Sequence, residues 1–209
     1  MTRLFRMRIV GALTATFLIS VATVPSVAAA GPNFRLPFEC GQKYVGSTYA
    51  GHGLAVDFNQ KRDADAGDPV LASAGGTVTD GWGIAVNGQI AVDHGGGWQT
   101  VYAHMSGILV REGQRVVAGQ VLGSVDDAGF AAGEHLHYEQ KLREAVVRSS
   151  FDGVPYEYGK RIRSTNCSVR PSDIATFYEI WERRGPDPRV EERSRRPSRS
   201  SPQRIITPV

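Results

Sequence analysis

Short runs of alternating apolar and polar residues dominate the middle of the chain, between residues 69 and 148. These runs are rich in Val, Ile, Thr and aromatic residues, and Gly pairs or Asp-Gly steps separate them, which is typical of β-strands joined by tight turns. No long amphipathic helical pattern interrupts them, so the sequence predicts a mainly β fold, an antiparallel sheet or sandwich. The predicted strands are Val70–Ser73, Thr77–Thr79, Gln89–Asp93, Trp98–His104, Ile108–Val110, Val121–Val125 and His135–Leu142.

The period of two is clearest in the segment His135–Glu139. Residues i and i+2 of a strand face the same side of a sheet. The side chains of His135 and His137 are therefore expected to project together from one face, with Leu136 pointing away from them.

After residue 160 the pattern changes to a helical one. Ser172 is a candidate N-cap for a short helix that ends at about Arg184. We interpret this helix as packed on the domain; a helix that docks a partner is an alternative without support in the sequence. The apolar residues that share one helical face are Ile174, Phe177, Ile180 and Trp181.

The first thirty residues have the pattern of a secretory signal peptide. Three arginines precede the uncharged, mostly apolar run Ile9–Val24, and small residues follow at Ala28–Ala30. A membrane anchor is the alternative, but the run of 16 residues is shorter than the roughly 18 to 20 that a spanning helix needs. The sequence therefore predicts an exported protein without stable membrane insertion.

The positive net charge of +3 does not describe the folded part of the chain. The signal contributes three Arg and no acid, and residues 185–209 contribute six Arg, three acids and five of the 11 prolines. Such a tail buries too little apolar surface to order itself, so we expect a disordered basic tail. Residues 31–184 then hold 15 basic and 18 acidic residues, a net charge of −3. This balance argues against nucleic-acid binding.

The only two cysteines, Cys40 and Cys167, bracket the β region. Two cysteines are too few for a disulfide scaffold or a four-cysteine zinc site. In an exported protein they are more often paired than free, so we predict a disulfide.

Five histidines and one aspartate carry the candidate chemistry. Neutral imidazoles and a carboxylate are good zinc ligands, and a catalytic zinc has three protein ligands and a water. Each histidine taken alone indicates little, and even the His135-x-His137 pair leaves a packed or exposed strand residue as an open alternative. The residues are His52, Asp57, His94, His104, His135 and His137.

The order of these residues and the sequence motifs around them resemble those of a known family. The stretch from about Gly51 to Glu139 is similar to the LytM/lysostaphin-type zinc metallopeptidases, peptidase family M23, over nearly all of the β region. The matching motifs are His52…Asp57-Phe58, Gly67-Asp68-Pro69-Val70, Ala74-Gly75-Gly76-Thr77-Val78, Val92-Asp93-His94-Gly95, Tyr102-Ala103-His104-Met105-Ser106, Glu112-Gly113-Gln114, Ala118-Gly119-Gln120-Val121-Leu122-Gly123 and Gly133-Glu134-His135-Leu136-His137-Tyr138-Glu139.

The resemblance implies a set of roles. His52, Asp57 and His137 would bind one zinc ion; His135 would act as general base, and His104 would stabilise the tetrahedral intermediate or position the water. Which of His104 and His135 takes the proton stays open, and His94 is interpreted as structural.

The implied function is a secreted, cell-wall-associated zinc metalloendopeptidase that hydrolyses peptide bonds in bacterial peptidoglycan. The alternative is a non-catalytic peptidoglycan-binding or amidase-activating module that kept the fold. The expected partner is peptidoglycan, and the expected oligomeric state is a monomer.

One local feature departs from the family pattern, and a separate acidic stretch suggests a different kind of metal site. Four residues lie between His52 and Asp57, where the common family spacing has three. Asp57 is therefore five positions after His52, and in a strict strand an odd offset turns the two side chains to opposite faces. Gly53 is expected to supply a bend that corrects this. The carboxylates of Asp63, Asp65 and Asp68 suggest calcium, but the pattern lacks a full EF-hand loop and a solvated loop is expected instead.

The sequence thus divides into five segments. A signal peptide spans 1–30, a lead-in with one cysteine spans 31–50, and the peptidase-like domain spans 51–160. A C-terminal extension with the short helix covers 161–184, and the basic tail covers 185–209.

Overall fold

The fold is taken from a computed structural model of the chain. It describes residues 31–60, 65–79, 88–127, 133–168 and 171–184. The expected signal peptide and the expected basic tail both lie outside these described residues.

The described residues form fourteen strands and one helix. They are β1 (Lys43–Ser47), β2 (Val56–Asn59), β3 (Pro69–Leu71), β4 (Gly76–Thr79), β5 (Ile90–Gly95), β6 (Trp98–Ala103), β7 (Met105–Ser106), β8 (Arg115–Val116), β9 (Val121–Val125), β10 (Leu136–Leu142), β11 (Ala145–Val147), β12 (Ser150–Phe151), β13 (Val154–Pro155), β14 (Arg161–Arg163) and α1 (Pro171–Arg184).

A large antiparallel sheet forms the centre of the domain. Its strand order is β14-β1-β2-β10-β6-β5-β4-β8, with β11 paired to β10. A three-stranded sheet, β3-β9-β7, packs with it, and β12 and β13 form a separate hairpin. The prediction of a mainly β, antiparallel fold with a short C-terminal helix is confirmed.

Six of the seven predicted strands are present, and the prediction for Ile108–Val110 is wrong. Here the chain has already left the large sheet, and the strand that follows His104 is the short β7. Leu109 donates one backbone hydrogen bond to the carbonyl of Leu122, but no ladder continues from it. The apolar pattern of this segment reflects burial, since Val110 is in the core, rather than strand pairing.

One hydrophobic core joins the two sheets. Tyr102 and Tyr138 from the large sheet are fully buried with Leu122 and Val125 from the small sheet. The alternation in β10 is as predicted, with Leu136 and Tyr138 in the core and the intervening residues less buried. The strand thereby presents its polar side chains on the face opposite the core.

The segments on either side of residues 51–160 take part in the same sheet and core. β1 and β14 pair with each other, and β1 pairs with β2. Phe34, Leu36 and Phe38 are buried, with 2% exposure or less. Cys40 and Cys167 form the predicted disulfide, with Cα atoms 4.7 Å apart.

The C-terminal helix packs on the domain, as expected. Its Phe177 is buried against Leu71 and Val121 of the small sheet. The helix begins at Pro171, one residue before the predicted cap Ser172, and proline is well suited to a first helical position. Within the described ranges, no helix is both long and apolar enough to cross a membrane.

The acidic segment before β3 is only partly what the sequence predicted. Asp65 is fully buried, so the interpretation as a solvated loop is wrong at that residue. Gln60 donates its backbone N–H to one carboxylate oxygen of Asp65. The other oxygen, Oδ1, is buried without a hydrogen-bond partner.

Candidate metal centre

Three side chains converge where the large sheet meets the loop between β1 and β2. Nε2 of His52 lies 2.9 Å from Nδ1 of His137, and each of these nitrogens lies 3.2 Å from Oδ1 of Asp57. Asp57 and His137 are direct neighbours across the β2–β10 pairing. The sheet register therefore brings together two residues that are 80 positions apart in the chain.

His52 reaches the site from a turn and not from a strand. Gly51 and Gly53, on either side of it, have φ angles of +94° and +68°, which favour glycine. The sequence suggested that the spacing to Asp57 would turn the two side chains to opposite faces of a sheet. That rule holds only within a strand, so it does not apply to His52 in a turn. The predicted bend at Gly53 is present.

The donor atoms fit a zinc ion. Two imidazole nitrogens and one carboxylate oxygen are the ligand types that zinc prefers, at about 2.0–2.1 Å, which places tetrahedral ligand atoms about 3.3 Å from each other. The observed separations of 2.9 to 3.2 Å are close to that spacing. Within the described part of the chain, these three residues form the one group of His, Cys, Asp and Glu ligands compact enough for a metal ion.

Two residues that the sequence analysis did not assign support the imidazoles from behind. Oε1 of Glu139 lies 3.1 Å from Nε2 of His137, and Oγ1 of Thr48 lies 3.3 Å from Nδ1 of His52. Each contact uses the ring nitrogen that faces away from the three-residue cluster. Such contacts fix the tautomer and orientation of a metal-binding histidine. The i, i+2 alternation from His137 indicates Glu139, whereas nothing in the sequence singles out Thr48.

His135 and His104 line the same site. Nε2 of His135 lies 3.5 Å from Oδ1 of Asp57, and its Nδ1 lies 2.9 Å from the carbonyl oxygen of Gly133. The ring centroid of His104 lies 4.6 Å from that of His135 and 5.9 Å from that of His137. All five residues that the family resemblance singled out are therefore close together.

His104 has a special position in the backbone. It is the single residue between β6 of the large sheet and β7 of the small sheet, and its φ angle is +61°. This left-handed conformation is uncommon for a residue other than glycine. Its carbonyl accepts a hydrogen bond from the N–H of Asp126, next to the bridge that Asp126 forms with His135. The backbone turn thus aims the His104 ring at the other histidines.

The side chains of the site shift each other's pKa values strongly. Burial raises the pKa of Asp57, but hydrogen bonds with His135 and His137 outweigh it and hold this pKa far below its usual range. Burial lowers the pKa of His137, but hydrogen bonds with Asp57 and Glu139 reverse this and raise it to about 9. The pKa of Glu139 is lowered by its bond to His137. Asp57 is therefore a carboxylate at neutral pH.

His94 does not take part in this cluster. Its Nδ1 lies 2.8 Å from the carbonyl oxygen of Gly75, and its Nε2 lies 2.8 Å from Oγ1 of Thr100. Its ring also packs edge-on against Phe34. Both nitrogens are used in local contacts, which agrees with the structural role expected for this residue.

Comparison with known proteins supports the same interpretation. Residues 55–149 match the family model described as Peptidase family M23. The matched span includes Asp57, His104, His135 and His137, and it begins three residues after His52. The resemblance seen in the sequence is therefore confirmed.

Curated relatives whose names state a peptidase activity are also similar to this chain. The peptidoglycan DD-endopeptidase ShyA of Vibrio cholerae is 37% identical over 91 residues, which are 43% of this chain and 21% of ShyA. The DD-carboxypeptidase/endopeptidase Mpg of Neisseria meningitidis is 40% identical over 89 residues, which are 40% of this chain and 20% of Mpg. The match to this chain thus spans about a fifth of the length of these relatives.

A solved structure agrees with the fold. A Pseudomonas aeruginosa protein described as a peptidase M23 superimposes with a TM-score of 0.51 and 30% identity. The superposition covers 61% of this chain and 53% of that protein.

Proposed function

Because residues 55–149 match peptidase family M23, we propose that this chain is a secreted zinc metalloendopeptidase that hydrolyses peptide bonds in bacterial peptidoglycan. The two curated relatives described above act on peptidoglycan or are named for peptidase activity. The match covers only about a fifth of each relative, so the substrate and the activity of this protein are proposed by analogy with them.

The convergence of His52, Asp57 and His137 is the observation that carries the proposal. Three donor atoms at 2.9 to 3.2 Å, with Glu139 and Thr48 behind them, form a set suited to zinc. His135 and His104 stand beside this set and offer the proton-transferring and charge-stabilising groups that a hydrolytic site needs, which favours the enzyme over the non-catalytic module.

A zinc ion held by these three residues would supply a Lewis acid and a bound water of lowered pKa. The remaining groups of the site then perform proton transfer and charge stabilisation. His52 is held through Thr48 and His137 through Glu139, so both imidazoles keep the orientation in which a lone pair faces the cluster.

We assign proton transfer to His135. Its Nδ1 faces the carbonyl of Gly133, an acceptor, so this nitrogen carries the hydrogen. In the neutral form of the ring, Nε2 then carries the lone pair, and it is the nitrogen that faces Asp57 and the site. It is placed to accept a proton from the attacking water and to return it to the leaving amine.

We assign charge stabilisation to His104. Its ring stands beside that of His135, and the rigid turn between the two sheets holds it there. A fixed hydrogen-bond donor at this position would stabilise negative charge that develops on the scissile carbonyl oxygen.

The cellular setting is part of the proposal. The signal pattern of residues 1–30 predicts export, and the disulfide between Cys40 and Cys167 fits an oxidising environment outside the cytoplasm. The proposed setting is therefore the cell wall, with peptidoglycan as the partner and the protein acting as a monomer. The division of the chain into the five segments given by the sequence is also part of the proposal.

The experiment measures bound zinc and hydrolysis of purified peptidoglycan, with and without a chelator. Wild type is expected to contain about one zinc per chain and to lose activity on chelation. His137→Ala is expected to lose both zinc and activity. His135→Ala should keep its zinc and lose activity by about 10²- to 10⁴-fold, since it removes only the proton acceptor.

Two results would count against the proposal. Unchanged lytic activity in His137→Ala would exclude zinc catalysis at this site. A zinc-loaded wild type that hydrolyses no peptidoglycan, but stimulates a wall amidase, would instead establish the non-catalytic module.

A further inference from the structure

The turn that carries His52 buries little of its own surface. It consists of residues 48–54, between β1 and β2, and we call it the His52 turn. Both of its large apolar side chains are exposed, Tyr49 by 65% and Leu54 by 43%. Apolar burial therefore does little to fix the position of this turn, although the turn supplies one of the three proposed metal ligands.

Contacts inside the His52 turn fix its shape. The backbone N–H of His52 donates a hydrogen bond of 3.0 Å to the carbonyl oxygen of Tyr49, and the Tyr49 ring stacks on the imidazole with centroids 4.4 Å apart. The hydroxyl of Thr48 lies 3.3 Å from Nδ1 of His52 and donates to the carbonyl oxygen of Gly53. These contacts join residues of the turn to one another. They do not fix the turn relative to β10, where His137 lies.

A tyrosine from the far end of the domain supplies a contact from outside the turn. The hydroxyl of Tyr158 donates a hydrogen bond of 3.0 Å to the carbonyl oxygen of Leu54, 104 positions earlier in the chain. Among the described residues, leaving aside those of the metal centre, Tyr158 is the one outside the turn whose side chain hydrogen-bonds to it. Both His52 and Tyr158 lie outside residues 55–149, so the family match does not include this contact.

Tyr158 is itself held in place on the domain. The N–H of the next residue, Gly159, donates a hydrogen bond of 2.8 Å to the carbonyl oxygen of Gly46 in β1. The Tyr158 ring packs edge-on against Tyr156, with centroids 6.1 Å apart, and the guanidinium carbon of Arg148 lies 5.6 Å from its centroid. The ring also packs against the main hydrophobic core. The hydroxyl therefore projects from a fixed support.

Tyr158 stands next to the core side of β2. Its neighbour Tyr156 packs against the fully buried Phe58, with ring centroids 5.5 Å apart. Asp57 precedes Phe58 in the strand, so its side chain points to the opposite face, where the proposed ligands meet. Tyr158 accordingly acts on the metal centre through the turn, and not by contact with the metal or the substrate.

We propose that Tyr158 is a positioning residue of the metal centre, and that its hydroxyl holds the His52 turn where His52 meets Asp57 and His137. The inference rests on the proposed function, because it assumes zinc at these three residues. Asp57 and His137 are neighbours in the β2–β10 register, so the sheet holds both of them. His52 lies outside the strands, and the segment between β13 and β14 supplies the anchor that the sheet does not provide.

The test measures the zinc affinity of Tyr158→Phe by competition with a chelator of known affinity. This variant loses only a hydroxyl and should bind zinc about five- to tenfold more weakly than wild type. The reason is that loss of one hydrogen bond lowers the fraction of molecules whose turn is in the binding position. Tyr178→Phe, at a tyrosine on α1 that is 40% exposed, is the matched control and should keep the wild-type affinity.

A double-mutant cycle separates positioning of His52 from a general effect on the fold. Because Tyr158 acts through His52, its hydroxyl should not matter once that ligand is gone. In the His52→Ala background, Tyr158→Phe should therefore change the residual zinc affinity by less than about twofold. Equal zinc affinity of wild type and Tyr158→Phe, or the same loss in both backgrounds, would overturn the inference.

The outcomes also separate the inference from the proposed function. Zinc affinities that follow the expected pattern in a protein that hydrolyses no peptidoglycan would support the inference and refute the proposed function. Hydrolysis by a wild type whose zinc affinity does not depend on Tyr158 would do the reverse. A wild type that binds no zinc would overturn both.

Discussion

The carboxylate of Glu139 lies 3.1 Å from Nε2 of His137, two residues earlier in the same strand. The strand places both side chains on the polar face of the sheet, while Leu136 and Tyr138 fill the core. The contact holds His137 with its other nitrogen, Nδ1, aimed at His52 and Asp57.

Replacement of Glu139 by Gln should therefore weaken zinc binding without removing a ligand. Loss of such a supporting carboxylate lowers metal affinity by about 10- to 100-fold. Competition with a chelator of known affinity measures the change. Glu144→Gln, at a residue with an exposed carboxylate, is the control and should bind zinc as wild type does. Equal zinc affinity in Glu139→Gln would show that the contact does not support the metal centre.

The disulfide should make a large contribution to stability. It closes a loop of 127 residues between Cys40 and Cys167, for which the chain-entropy model gives about 5 kcal/mol. The double variant Cys40→Ser/Cys167→Ser should unfold at a correspondingly lower denaturant concentration. Reductant should shift wild type in the same direction and leave the double variant unaffected. Two alkylatable thiols in the native, unreduced protein would contradict the pairing.

Gly46 should not tolerate a side chain. A Cβ at this position would collide with Val56, and it would lie 2.7 Å from Cε1 of Tyr156 and 2.9 Å from Cε1 of Phe58. Gly46→Ala should lower the free energy of unfolding by about 1–3 kcal/mol through overpacking. Gly75→Ala is the matched control, because its nearest neighbour would be a carbonyl oxygen at 3.5 Å. Equal stability of the two variants would contradict the close approach at Gly46.

Asp65 should make stability depend on pH. Burial raises its pKa, and the carboxylates of Asp68 and Glu134 add to this. A carboxyl group with a raised folded-state pKa contributes its full stability below its unfolded pKa of 3.8, and this contribution is lost as the pH rises through the folded value. At pH 7 the buried charge therefore opposes folding.

Asp65→Asn should raise the free energy of unfolding at pH 7 by about 1 kcal/mol, because the amide removes a buried negative charge that burial and the charges of Asp68 and Glu134 disfavour. The gain over wild type should shrink as the pH falls towards 4. Urea unfolding at several pH values measures it, with Asp93→Asn, at an exposed carboxylate, as control. A gain that is equal at all pH values would show that titration of Asp65 is not its cause.

The order of the candidate residues in the sequence predicted the site, but only with the help of the family resemblance. The alternation at His135 and His137 follows from the period of a strand, and the structure agrees. The location of His52 could not be derived in this way. It depends on two glycines with positive φ, and a sequence does not state which of its glycines adopt that conformation.

Other departures have the same origin. Ile108–Val110 has the composition of a strand, but its apolar residues are buried without a ladder because the chain changes sheets at His104. Asp65 lies in an acidic stretch whose composition predicts a solvent-exposed loop, yet its side chain is fully buried in the fold. Local pattern records which residues avoid water, whereas strand pairing and burial depend on partners far away in the chain.

By itself, the sequence predicted the fold class from its periodicity and the pairing of the two cysteines from their number and the export pattern. The proposed ligand set came from the family resemblance and not from residue type alone. Only the tertiary structure decided how these residues meet. The register of β2 against β10 places Asp57 beside His137, a turn brings His52 to both, and Glu139 and Thr48 orient the rings.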